Sequence, residues 1–184
     1  MKIERTAIDD VLILEPKRFV DERGFFSETW SARAFAEAGL PERFVQDNHS
    51  LSQHAGTLRG LHFQSPPFAQ AKLVRVTRGR ALDVAVDLRR GSPTFGRHVA
   101  VELSAENWRQ LYVPEGFAHG FCTLEDDVEV LYKVTAPYSP AHDRGVAFDD
   151  PALGIAWPYP AAAMTLSDKD RRHPRLADLP PVFP

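Results

Sequence analysis

The chain has 184 residues, 43% of them apolar, which suits one substantial core better than two independent domains. Lys and Arg number 22 against 25 Asp and Glu, for a formal net charge of −3, so no global basic field attracts nucleic acid or anionic lipid, and any phosphate binding must be local. A single cysteine excludes a disulfide framework, Met1 to Arg5 carries no apolar signal core, and no apolar run reaches membrane-helix length; the expectation is a cytoplasmic protein with no nucleic-acid and no membrane partner.

In chain order, the first clear element is a short helix over Ser31 to Ala38. Ser31 can cap its first turn, the interior is Ala-rich, and Gly39-Leu40-Pro41 stops it. The β-type run Leu58 to Gln64 follows. Strict alternation places His62 with Leu58, Gly60 and Gln64 and sends Arg59, Leu61 and Phe63 to the other face. If Arg59 and His62 serve one pocket, the strand must bulge or twist near Gly60, which a glycine permits. Next, Lys72, Val74 and Val76 share one face. After the turn-like Thr77-Arg78-Gly79, Leu82, Val84, Val86 and Leu88 share one face while Asp83, Ala85 and Asp87 take the other, which predicts a hairpin. Val99, Val101 and Leu103 alternate again, and Ser104 to Asn107 predicts a turn. Cys122, within Gly120 to Leu124, reads as a small buried hydrophobe. Val128, Val130, Tyr132 and Val134 alternate, so the Tyr132 phenol faces the way the valines do. Near the end, Ser167-Asp168-Lys169-Asp170 can start a further helical turn, and the Pro-rich tail can continue neither a helix nor a central strand. Many short strands separated by signals such as Arg90-Gly91-Ser92-Pro93 and Pro114-Glu115-Gly116 imply a β-sandwich or barrel.

Within 14 positions, Arg59, His62, Gln64 and Lys72 supply a guanidinium, an imidazole, an amide and an ammonium. That mixture suits an anionic substrate undergoing proton transfer: Arg grips phosphate, His titrates near neutrality, and Lys offers compact positive charge to an oxyanion. The turn Pro114-Glu115-Gly116-Phe117-Ala118-His119 resembles the second motif of cupins, which sets a histidine at the mouth of a small barrel. The first metal-cupin motif would supply two more histidines, and His62-Phe63-Gln64 stands there instead. His62 and His119 alone leave a transition metal under-coordinated, so no metal is expected.

A wider resemblance runs through nearly the whole chain. Asp21 to Glu28, Phe44 to Ser50, Leu58 to Gln64, Asp83 to Arg89, Ser92 to Gly96, Pro114 to Phe121 and Leu166 to Asp170 are similar, in this order, to the dTDP-4-dehydrorhamnose 3,5-epimerase family. The resemblance implies a mainly β, cupin-type jelly roll, or double-stranded β-helix, with few short helices. It spans residues 1–184 as one domain, with N-terminal strands contributing to a homodimer and a tail from 160 to 184 carrying Asp170. It implies no organic cofactor and a nucleotide-sugar substrate, dTDP-4-dehydro-6-deoxy-D-glucose, converted to dTDP-4-dehydro-L-rhamnose. Residue by residue, it implies His62 as general base, Asp170 as its orienting carboxylate, Lys72 as oxyanion stabiliser and Tyr132 as proton donor. Arg23 and Arg59 match diphosphate contacts, Tyr138 a ring stacking on thymine, and Glu28, Gln46, Asp47, Asn48 and His119 further substrate contacts. Asp143 and Lys169 match in the same way, although Ala141 to Arg144 departs from the smaller, less charged residues usual in that loop; Phe148 stands where Trp is often found, a neutral exchange. Arg23 and Glu28 are expected to act on the partner's site. Two alternatives remain open at this level: a mono-epimerase acting at carbon 3 or carbon 5 of a related dTDP-4-ketosugar, and a non-catalytic nucleotide-sugar-binding cupin.

Overall fold

A computed structural model describes residues 1–40 and 43–184; Pro41, expected to end the helix, lies outside them. Strands β1 (Lys2–Arg5), β2 (Leu12–Glu15), β3 (Arg18–Asp21) and β4 (Gly24–Ser27) precede the one α-helix among the described residues, α1 (Ala32–Glu37). Ser31 caps it as expected, its hydroxyl accepting the Ala34 N–H at 3.2 Å. At the other end the Leu40 N–H returns to the Phe35 carbonyl across Gly39, whose φ of +71° is the left-handed conformation glycine tolerates.

The remaining strands are β5 (Gln46–Ser52), β6 (Leu58–Gln64), β7 (Lys72–Arg78), β8 (Arg80–Asp87), β9 (His98–Ser104), β10 (Gln110–Val113), β11 (Phe117–Thr123), β12 (Val128–Val134) and β13 (Asp143–Gly145). They form two antiparallel sheets. One is ordered β1-β2-β10-β7-β12-β5 and the other β13-β6-β11-β8-β9, while β3 and β4 pair as a separate ribbon. Valines 74, 76, 128 and 130 from the first sheet pack on Ala81, Ala85, Val101, Leu103, Phe117 and Phe121 from the second, so the main core lies between them. Fully burying a valine, leucine or phenylalanine side chain of this kind contributes about 1.5–3 kcal/mol.

Both outer faces are covered as well. Phe35 and Leu40 pack over Leu14, Leu73 and Tyr112 of the six-stranded sheet. Leu153, Leu176, Leu179 and Phe183 cover Leu61, Phe63, Val84 and Val86 of the five-stranded sheet. The branched face of β8 thus turns outward beneath the C-terminal tail, and its Ala85 and Asp83 face turns inward.

The hairpin expected of β7 and β8 does not form. β7 pairs with β10 and β12, and β8 with β11 and β9. Both edges of β7 are occupied, and a flat hairpin would set Val74 and Val76 beside Ala81 and Ala85; crossing between sheets at Gly79 sets them face to face and buries both. Near the end, the expected turn is a 3-10 helix, Asp170–Arg172. The Pro-rich tail stays outside both ladders, bridging Arg89 at Phe183 and packing Leu179 and Phe183 on the five-stranded sheet. No helix among the described residues is long and apolar enough to cross a membrane.

Candidate active site

Residues of both sheets and of the C-terminal tail line a cavity of about 510 Å³, in the size range of small-molecule sites. From β6 it is lined by Arg59 and His62, from β7 by Lys72, from β11 by His119 and from β12 by Tyr132; Lys169 and Asp170 close it from the tail. A smaller adjoining recess of about 130 Å³ shares His62, Lys72 and Tyr132 and extends to Gln46, Asn48, Tyr138 and Asp143.

Arg59 and His62 reach one cavity because β6 carries an extra residue. Opposite β11, His62 pairs with His119 but Arg59 pairs with Phe121, so three steps on β6 match two on its partner. That bulge reverses the parity of alternation between them. It is centred on Gly60, at φ +128°, where a side-chain carbon would lie 2.6 Å from the Gly120 Cα. Gly120 is under the mirror constraint, since a carbon there would lie 2.7 Å from the Arg59 carbonyl oxygen. Two facing glycines let the backbones approach closely enough to carry the bulge.

His62 Nε2 meets Asp170 Oδ1 at 2.5 Å, with the imidazole 32% exposed and the carboxylate 5%. Burial lowers the proton affinity of His62 below that of an ordinary histidine, against the opposing pull of Asp170. Burial disfavours the charged form of Asp170 too, but the imidazoles of His173 and His62 and the Ser167 hydroxyl hold its carboxyl below the usual range. Lys72 is buried, its ammonium 3.5 Å from the His62 carbonyl oxygen. Desolvation lowers its pKa to about 8, with Asp83 and Asp143 opposing. Burial raises the Tyr132 phenol, against the Arg59 charge and with that of Asp143.

Other expected residues fall into two groups. His119 is buried and its Nε2 lies 2.9 and 3.0 Å from the two oxygens of Asp83. Tyr138, 56% exposed, donates its hydroxyl to Asp143, which also receives Lys169. Gln46 donates to Asn48 and accepts the Tyr138 N–H. Arg59 is held by Ser52 and the Leu51 carbonyl. By contrast, the Asp47 side chain turns to the outer face of β5, paired with Lys133 at 2.7 Å. Arg23, at the turn of the β3–β4 ribbon, pairs with Asp21, and neither it nor exposed Glu28 lines this cavity. Cys122 is fully buried with its thiol pushed up to about 11 by burial, which suits packing and not nucleophilic work.

Sequence reasoning missed Asp83 and His173. An acidic residue on an inward-facing position of an apolar strand was a usable signal for Asp83, because a buried carboxylate needs a partner. His173 carried no local signal. Its ligand atom and those of His62 and Asp170 lie within 4.8 Å of one another. The 2.5 Å His62–Asp170 contact is nevertheless a hydrogen bond, shorter than the roughly 3.3 Å between neighbouring ligands around a tetrahedral zinc ion.

Comparison with known proteins agrees with this architecture. The model of the dTDP-4-dehydrorhamnose 3,5-epimerase family matches residues 5–178. A relative from Sinorhizobium fredii, named dTDP-4-dehydrorhamnose 3,5-epimerase, is 54% identical over 100% of this chain and 93% of its own. The structure of a dTDP-6-deoxy-D-glucose-3,5-epimerase from Legionella pneumophila in complex with dTDP-4-keto-L-rhamnose is 47% identical, covers 97% of this chain and 94% of that one, and superposes with a TM-score of 0.93. A 3'-monoepimerase from Streptomyces bikiniensis in complex with dTDP-quinovose is more distant, at 38% identity, coverage of 94% and 87%, and a TM-score of 0.86. With its jelly roll of two sheets and a match over nearly its whole length, the chain belongs to the dTDP-4-dehydrorhamnose 3,5-epimerase family.

Proposed function

We propose that the chain inverts carbons 3 and 5 of dTDP-4-dehydro-6-deoxy-D-glucose to give dTDP-4-dehydro-L-rhamnose. The observation that carries the reading is a single cavity lined by His62 from one sheet and by Tyr132 and Lys72 from the sheet opposite. Carbons 3 and 5 flank the carbon-4 ketone, so removing either proton moves the C–H electron pair into a C–C π bond and leaves negative charge on the ketone oxygen. With Nε2 engaged by Asp170, Nδ1 of His62 is the nitrogen left to take that proton. Lys72 stabilises the oxyanion, a preorganised donor typically worth about 10²–10³ in rate. Tyr132 returns a proton to the opposite face, the carbonyl reforms, and solvent exchange resets both groups.

Arg59 binds the diphosphate and Tyr138 stacks on the thymine, with Gln46, Asn48, His119, Asp143 and Lys169 completing the contacts; Asp47, turned away and paired with Lys133, is left out of this set. Arg23 and Glu28 serve the cavity of a second copy. That homodimer is supported by the β3–β4 ribbon, whose Phe19, Val20, Phe25 and Phe26 remain 53%, 76%, 60% and 70% exposed in one chain. The reaction runs in the cytoplasm without a metal ion, since each proton transfer has a side chain to perform it.

Incubation with the ketosugar in deuterated water, followed by NMR of the sugar protons, tests the reading. Label at both carbons is expected. The similarity to a 3'-monoepimerase favours a second reading, and label at carbon 3 alone would replace the first with it.

A further inference from the structure

One buried imidazole beside the His62–Asp170 pair has no part in the reaction above. His173 follows the 3-10 turn Asp170–Arg172, its side chain is 8% exposed, and its Nε2 is fully buried with no hydrogen-bond partner among the described residues. That nitrogen faces Asp170 Oδ1 at 3.5 Å, the same oxygen that His62 Nε2 meets at 2.5 Å. The two rings cross edge to face, 5.4 Å apart at 79°. The surroundings are shaped for this ring. A side-chain carbon on Gly145 would overlap it, and Gly145 is the residue paired with His62 across the ladder. On the far side, the Pro174 carbonyl accepts the Ala147 N–H at 2.8 Å and Asp150 accepts the Leu176 N–H at 2.7 Å, which anchors the segment.

We propose that His173 is a positioning residue: it keeps a proton on Nε2, aims it at Asp170, and so orients that carboxylate while limiting its pull on the His62 proton. The inference rests on His62 being the base. A bare nitrogen lone pair against a carboxylate oxygen would be repulsive, so the Nε2-protonated form is the one the geometry accepts. A carboxylate shared between two N–H groups stabilises the charged form of each less than it would alone. The other charges facing His62 are Lys72 and Lys169, which disfavour its protonation, and Asp143 beyond them; Arg171 and Arg172, on the same turn as Asp170, are exposed. Without His173, Asp170 would hold His62 protonated at a pH where the base must be free.

The test combines nitrogen NMR of the histidine rings with rate profiles. In the unaltered protein, His173 is expected to carry its proton on Nε2; a bare Nε2 would overturn the proposal without any variant. In His173→Leu the His62 titration midpoint should rise by about one unit, and the acid limb of kcat/KM should move with it. His173→Gln, which keeps an N–H at that position, should restore both. An unmoved His62 midpoint in His173→Leu, or a His173→Gln variant no better than His173→Leu, would reduce His173 to packing. If the midpoint rises while the acid limb stays, the positioning role stands and the assignment of His62 as base fails.

Discussion

At the scale of single residues, burial disfavours the charged forms of the two groups to which the proposal gives chemistry, His62 and Lys72. His62 must be neutral to accept a proton, so the rate falls as pH drops through its lowered pKa, below the ordinary value of about 6.5. Lys72 must be charged to stabilise an oxyanion, so the rate falls as pH rises through about 8. The expected profile of kcat/KM is a bell between these limits; an alkaline limb near 10 would detach Lys72 from the reaction. Replacing His62 by Ala should lower turnover by roughly 10²–10⁴ while dTDP binding, followed by calorimetry, persists. Tyr132→Phe should retain solvent exchange at the carbon facing His62 and lose inversion, which sugar-proton NMR separates directly. His62, Lys72 and Tyr132 were legible in the sequence as chemical types in a β-type context. The partner of His119 was not, because Asp83 meets it across a ladder 36 positions away.

At the scale of elements, the bulge in β6 decides whether Arg59 and His62 share a cavity. Gly60→Ala meets both a left-handed φ and backbone atoms 2.6 and 2.9 Å away that cannot yield as a flexible side chain would. Strain and overpacking of this sort each cost about 1–3 kcal/mol, so urea unfolding should show a loss in that range or above. Activity should fall further than the loss of folded protein explains; a fully active, equally stable variant would mean that the bulge is unnecessary. The need for a bulge near Gly60 could be read from alternation once Arg59 and His62 were both assigned to one pocket, and the inward valines of β12 from alternation alone. The pairing of β7 could not. Its sequence is compatible with a hairpin, and only the demand of Val74 and Val76 for a facing layer sends β8 into the other sheet.

At the scale of the whole molecule, the exposed ribbon and its Arg23 make a prediction about assembly. Sedimentation should give twice the 20.6 kDa chain mass. If Arg23 serves the partner's cavity, an equimolar mixture of Arg23→Ala and His62→Ala chains forms mixed dimers with one intact site each, and about a quarter of the unmodified rate should return. No recovery after subunit exchange would place Arg23 in its own protomer's cycle. Activity should also survive a strong chelator, and reversible inactivation would reopen the question of a metal. By itself the sequence determined a mainly β fold, the family, and which chemical groups are at hand, because alternation and turn residues act over a few positions and short motifs keep their order along the chain. Only the tertiary structure decided which groups meet: His62 and Asp170, 108 residues apart, share a hydrogen bond, and His173 stands behind them. Packing two sheets on each other and the tail on the outer face of one of them sets those distances, and no local pattern encodes them.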